Sequence, residues 1–185
     1  MLGFYNYTVI LTYIGMLTGF GGILFAMEGS FQAALLCLMG SGLCDMFDGK
    51  IASTMERTHS EKQFGIQIDS LSDLVCFGVL PAIIVYKSNG HSLWLCGGYV
   101  LCALIRLAWF NVDEQQRQER SEDRRREYLG LPVTTAAIIF PLLAGLEQVC
   151  RLPFSISAPM TMAVAAAAFL TPFRVKKPHL EGRSL

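Results

Sequence analysis

Asp45 and Asp48 are three residues apart near the end of one apolar run, and Asp69 and Asp73 are four apart near the start of the next. On helices, either spacing puts both carboxylates of a pair on one face. An aspartate at the centre of a membrane helix costs roughly 2.5–3.5 kcal/mol on insertion scales, so four of them imply a compensating cation or a reaction. Two antiparallel helices joined by a short loop bring the pairs together at one depth. Four carboxylates around one point stay ionised only where metal ions neutralise them. Carboxylate oxygens suit hard divalent cations, Mg²⁺ or Mn²⁺. Two such ions a few ångströms apart clamp a phosphate and stabilise both the attacking and the leaving oxygen.

Small residues belong beside such a site, because bulk there would block a nucleotide diphosphate. Gly49, Ala52 and Gly65 supply them, and Gly49 directly follows Asp48, where a backbone N–H can approach a phosphate. Helix packing or a loop turn would explain any one of these alone, but not their joint spacing with four aspartates. Arg106 is a further charge inside an apolar run. It has two readings: a structural partner for a buried carboxylate, or a planar fork that grips a substrate carboxylate or a lipid phosphate. Thr134 and Thr135 either hydrogen-bond substrate or bond back to helix carbonyls. The three histidines and six cysteines show no metal-ligand spacing.

The elements that must hold these residues are membrane helices. The 185 residues are 52% hydrophobic and 16% charged, with mean hydropathy +0.42. A soluble domain of this size carries about a quarter charged residues. Six spans are expected: Tyr7–Met27, Phe31–Ser53, Ile66–Tyr86, Leu93–Val112, Leu131–Val149 and Ile156–Phe173. The expected architecture is an all-α integral membrane protein forming one domain over residues 1–185, with no cleavable signal peptide. Three alternate loops, 50–65, 113–130 and 174–185, hold 12 of the 15 lysines and arginines. That excess marks their side as cytoplasmic, with both termini inside and the aspartates near the cytoplasmic ends of spans two and three. The charge run from Arg117 to Arg126, interleaved with acids, reads as a solvated helical extension or as a lipid-headgroup contact. Net charge is zero and singles out no partner; no nucleic-acid partner is expected. Gly15, Gly19, Gly22, Gly40 and Gly42 crowd the first two spans and read as close helix packing, as does Ala165–Ala168 in the last, which is also a candidate protomer contact.

The aspartates and their neighbours resemble the signature of the CDP-alcohol phosphotransferase family, D-x2-D-G-x2-A-R-x8-G-x3-D-x3-D, at Asp45, Asp48, Gly49, Ala52, Gly65, Asp69 and Asp73. Two departures stand out. Ser53 occupies the usual arginine position, for which Arg57 is a candidate replacement, and Ala52 to Gly65 is 13 positions rather than 10. Three more residues in a loop are thermodynamically cheap. Within the family, Asp69–Pro81, Arg106-Leu-Ala-Trp-Phe-Asn111 and Tyr128-Leu-Gly-Leu-Pro132 are similar to segments of bacterial phosphatidylserine synthases, with Trp109 where a second arginine is usual.

The resemblance implies a six-helix membrane enzyme, commonly a homodimer, acting on CDP-diacylglycerol and L-serine at the cytoplasmic face of the cell membrane. It implies two divalent cations held chiefly by Asp45, Asp48 and Asp69. Asp73 is implied as general base and further metal ligand. Gly49, Ala52, Arg57 and Gly65 would contact CDP-diacylglycerol, and Arg106 the serine. Two alternatives remain: a sister enzyme whose acceptor is glycerol 3-phosphate, inositol phosphate or another alcohol, and, in another class, a divalent-cation transporter.

Overall fold

A computed structural model describes residues 7–52, 58–89, 93–119, 127–150, 153–172 and 174–176. The fold is helical, with six rods in sequence. The first two, α1 (Tyr7–Met27) and α2 (Phe31–Ala52), form an antiparallel hairpin. The turn between them is set by Gly29 at φ +85°, the left-handed region that glycine enters without a Cβ penalty. Glu28 N–H bonds the Leu24 carbonyl at 3.1 Å, Gly29 N–H the Ala26 carbonyl at 3.1 Å and Ser30 N–H the Phe25 carbonyl at 2.8 Å, so three of the four carbonyls left by the end of α1 are satisfied. The pair packs closely because small residues face it: a Cβ added at Gly15 would lie 3.0 Å from Cys44 Cβ, and one at Gly22 would lie 2.9 Å from both Cys37 and Leu80.

The third rod is composite. It runs as α3 (His59–Asp73), a π-helical turn (Leu74–Val79) and α4 (Leu80–Asn89). A reciprocal cap starts it: Thr58 Oγ1 accepts from Glu61 N–H at 3.3 Å, and Glu61 Oε2 accepts from Thr58 N–H at 2.9 Å. The helix therefore begins seven residues before the apolar span does, and Gly65 and Asp69 lie on regular helix. The fourth rod, α5 (Leu93–Glu119), is also longer than its apolar part, continuing past Val112 into the charged run; residues 120–126 of that run lie outside the described residues. The fifth opens with Pro132 extended and a 3₁₀ turn, Val133–Thr135, before α6 (Ala136–Cys150), and the sixth is α7 (Phe154–Leu170). Thr135 Oγ1 donates to the Pro132 carbonyl at 2.6 Å, the back-bonding reading of that threonine. A short antiparallel pair, β1 (Glu127–Leu129) with β2 (Arg174–Lys176), was not expected from the apolar pattern, since three-residue strands leave no periodic signal.

Tyr99 lies at the centre of the bundle, wholly buried, with Phe140 edge-on at 6.2 Å and Phe169 at 5.5 Å between ring centroids. The outside is the reverse of a soluble protein's. Leu17, Leu36, Ile138, Met160 and Val164 are all about two-thirds exposed, and Trp94 is 91% exposed. Such large apolar faces belong against lipid. Among the described residues, three helices are both long and apolar enough to cross a membrane, Val9–Met27, His59–Ser88 and Leu93–Gln116, with two shorter apolar helices beside them.

Candidate active site

The α2 and α3 segments bring three of the four aspartates into one set. Carboxylate oxygens of Asp45, Asp48 and Asp69 all lie within 4.8 Å of one another. Asp45 and Asp48 project from the last two turns of α2 because they are three apart; Asp69 faces them from α3. Asp73, one turn further along α3 and buried, meets the carboxyl of Asp45, while the carboxyls of Asp48 and Asp69 meet each other. All four line one small cleft, whose walls include Thr12, Ser41 and Ser72.

The set fits a divalent cation. Two oxygens on one octahedral Mg²⁺ are separated by at most about 4.2 Å, given metal–oxygen distances of about 2.1 Å. The carboxylates thus stand a small side-chain rotation from shared coordination. The donor set is all oxygen, as hard cations require. Carboxylates gathered in an apolar bundle carry a desolvation penalty that a cation offsets.

One contact was invisible in the sequence. Thr12 of α1 donates from Oγ1 to Asp48 Oδ2 at 3.1 Å, with both residues buried. A hydroxyl within the apolar run of α1 gave no signal of its own, and only the fold shows that it reaches a carboxylate 36 residues away. A second polar clip lies on the other side of α3: Ser70 Oγ donates to Asn111 Oδ1 at 2.6 Å, and Asn111 Nδ2 donates to Gln67 Oε1 at 3.3 Å. It fixes α5 against α3 beside the aspartates.

The other sequence candidates are dispersed. Gly49 is exposed, with open space where a Cβ would project, and its backbone hydrogen-bonds the Asp48 carboxyl. Ala52 is the last residue of α2, and Gly65 lies one turn before Asp69. Arg57 and Ser53 lie outside the described residues. Arg106 lines a different cavity, a groove of about 230 Å³ between α5 and the end of α7, with Trp109, Phe169 and Thr171. Its guanidinium lies 5.5 Å from the Trp109 ring centroid, and its Nε donates to the Leu131 carbonyl at 3.3 Å. Gly130, at φ +72°, turns the backbone beside it: a Cβ there would lie 3.1 Å from the Thr171 carbonyl oxygen and 3.5 Å from the guanidinium carbon.

The sequence pattern of CDP-alcohol phosphatidyltransferases matches residues 5–172. The chain belongs to that family. The chain is similar to the CDP-diacylglycerol–serine O-phosphatidyltransferase of Helicobacter pylori strain J99, with 29% identity over 149 residues, 78% of this chain and 59% of the relative. It is 35% identical to the Saccharomyces cerevisiae protein of the same name over 143 residues, covering 69% of this chain and 50% of the relative. It is 32% identical to the archaetidylserine synthase of Methanothermobacter thermautotrophicus over 133 residues, 70% of this chain and 53% of the relative. The chain thus spans between about half and three-fifths of the length of these relatives.

Proposed function

We propose that the chain is a CDP-diacylglycerol–serine O-phosphatidyltransferase, transferring the phosphatidyl group to the hydroxyl of L-serine with release of CMP. The carboxylate set of Asp45, Asp48 and Asp69, with Asp73 in contact, is the observation that carries the phosphoryl chemistry. The names of the similar proteins supply the donor and the acceptor.

Asp45, Asp48 and Asp69 would hold the divalent cations, Mg²⁺ or Mn²⁺, with Asp73, in contact with Asp45, as a further ligand. Such cations would neutralise the diphosphate and stabilise charge on the attacking and leaving oxygens. The chain's own residues do the rest. Gly49, Ala52 and Gly65 leave room for the cytidine diphosphate, and Arg57 contributes a cation to it. The serine oxygen attacks the phosphorus that carries diacylglycerol; the new P–O bond forms as the bond to the CMP oxygen breaks. Asp73 accepts the hydroxyl proton, a role open to a buried carboxylate one helical turn beyond Asp69. Arg106 is assigned to the serine carboxylate through its planar fork, a role that requires the groove it lines to open onto the aspartate cleft; the Leu131 carbonyl and the Trp109 ring fix its orientation.

The same reading makes the chain a single six-span domain in the cell membrane, with both termini and the site on the cytoplasmic side. Exposed apolar faces on every rod and the lysine and arginine distribution support it. A homodimer is included, with the Ala165–Ala168 run of α7 as candidate contact; Ala167 of that run is exposed, whereas Ala165 is buried in the core.

The test is acceptor choice. Purified protein is given CDP-diacylglycerol and Mn²⁺ or Mg²⁺, then serine, glycerol 3-phosphate or inositol phosphate separately. CMP release with serine alone supports the assignment. Release with a phosphorylated acceptor instead of serine overturns it.

A further inference from the structure

The π-helical turn begins at Leu74, the residue after Asp73, and ends two residues before Pro81. Proline has no N–H, and its ring crowds the carbonyl four residues back. Here that carbonyl belongs to Phe77. The helix widens to accommodate it: Leu80 N–H bonds the Val75 carbonyl, five residues back. The Phe77 carbonyl receives a donor from another helix, since the Tyr99 hydroxyl of α5 donates to it at 2.8 Å. Tyr99 and Phe77 are 0% and 1% exposed, so water has no access to replace that bond. The Tyr99 ring is clamped by Phe140 and Phe169, which makes its hydroxyl a fixed point in the bundle.

A widened turn changes the rotational phase between the two halves of the rod. Each residue of α-helix advances about 100°, so closing the turn to α geometry would rotate one half against the other by an angle of that order. The α4 half is not free to rotate, because Leu80, Ile84 and Val85 are wholly buried in the core. The rotation would fall on the α3 half, which carries Asp69 and Asp73.

We propose that Tyr99 is a positioning residue: by holding the Phe77 carbonyl in the turn that Pro81 opens, it sets the angle at which Asp69 and Asp73 face Asp45 and Asp48. The effect on turnover rests on the phosphatidyl-transfer reading; the effect on carboxylate geometry does not.

Two variants test this. Tyr99→Phe keeps the ring contacts and removes the donor. Tyr99→Phe combined with Pro81→Ala also restores an N–H at residue 81, which gives the Phe77 carbonyl a helical partner and closes the turn. Thermal unfolding of metal-free protein, Mn²⁺ affinity by electron paramagnetic resonance, and single-turnover CMP release are measured on each. Tyr99→Phe lowers the unfolding temperature and slows CMP release by about 10²-fold, the typical penalty for misplacing a reacting group by an ångström. The KM for CDP-diacylglycerol stays unchanged. The double variant regains the unfolding temperature but not the rate, and its Mn²⁺ affinity falls because Asp69 has turned away. Recovery of stability and rate together would mean that Tyr99 only stabilises the fold, and full turnover in Tyr99→Phe would equally overturn the proposal. If the wild-type chain releases no CMP with serine, the transfer reading fails by itself. Mn²⁺ affinity of the double variant then decides this inference: a fall supports it and an unchanged value overturns it.

Discussion

Replacing Thr12 with valine removes one hydroxyl and leaves a side chain of nearly the same shape in an apolar helix. That hydroxyl donates to Asp48 Oδ2 at 3.1 Å, and Thr12 is 7% exposed, so no solvent is available to take its place. A hydrogen bond to a charged acceptor contributes about 1.5–3 kcal/mol. At about 1.4 kcal/mol per factor of ten, that sets an upper limit of roughly 10- to 100-fold on the metal affinity lost when Asp48 is no longer held in its ligating orientation. Changes to groups that orient metal ligands fall in the same range of about 10- to 100-fold. The assay is a Mn²⁺ titration of metal-free protein by electron paramagnetic resonance, paired with CMP release as a function of metal concentration. Thr12→Val should shift both curves to higher metal, and the rate at saturating metal should recover. A folded variant with unchanged Mn²⁺ affinity would refute the reasoning, because Asp48 would then need no help to coordinate.

Asp73→Asn keeps size and most hydrogen bonding but removes the proton acceptor, so kcat should fall by at least about 10²-fold while CDP-diacylglycerol still binds; single-turnover CMP release with a metal titration checks it, and recovery of the rate in excess Mn²⁺ would make Asp73 chiefly a ligand. Arg106→Lys keeps the charge and loses the fork, so the KM for serine should rise before CDP-diacylglycerol binding weakens; steady-state kinetics with each substrate varied decides it, and an unchanged serine KM would return Arg106 to a structural role. Gly19→Ala places a methyl group against Cys76 and should lower the unfolding temperature, with partial recovery when Cys76→Ala is added.

The aspartate pairs were legible because their chemistry is periodic: carboxylates three and four apart on consecutive apolar runs have few uses. The helix packing of α1 and α2 was legible for the same reason, and Gly15, Gly19 and Gly22 do sit against neighbouring helices. Thr12 and Tyr99 were not legible. Each acts on a residue of another helix, 36 and 22 positions away, and neither contact alters the local hydropathy. Pro81 was visible as a proline in an apolar run, but whether it would kink or widen the helix depended on a donor the sequence does not place. The polar start of α3, His59 to Gly65, was not legible from hydropathy, whereas α5 running on through Asp113 to Glu119 agrees with the solvated helical extension read from the charge run. Both stretches are helical for reasons of capping and propensity, not lipid burial.

The length of α5 has a practical consequence. At 27 residues it extends about 40 Å, more than a hydrocarbon core of about 30 Å. Both tryptophans of the chain are on it, Trp94 beside its first residue and Trp109 fifteen residues later, about 22 Å along the axis. Fluorescence of this protein therefore reads depth along a single helix. With Trp94→Phe or Trp109→Phe leaving one emitter, quenching by lipids brominated at successive acyl carbons places each indole against the bilayer. A protein seated across the membrane puts Trp94 at one surface and Trp109 several ångströms inside the other.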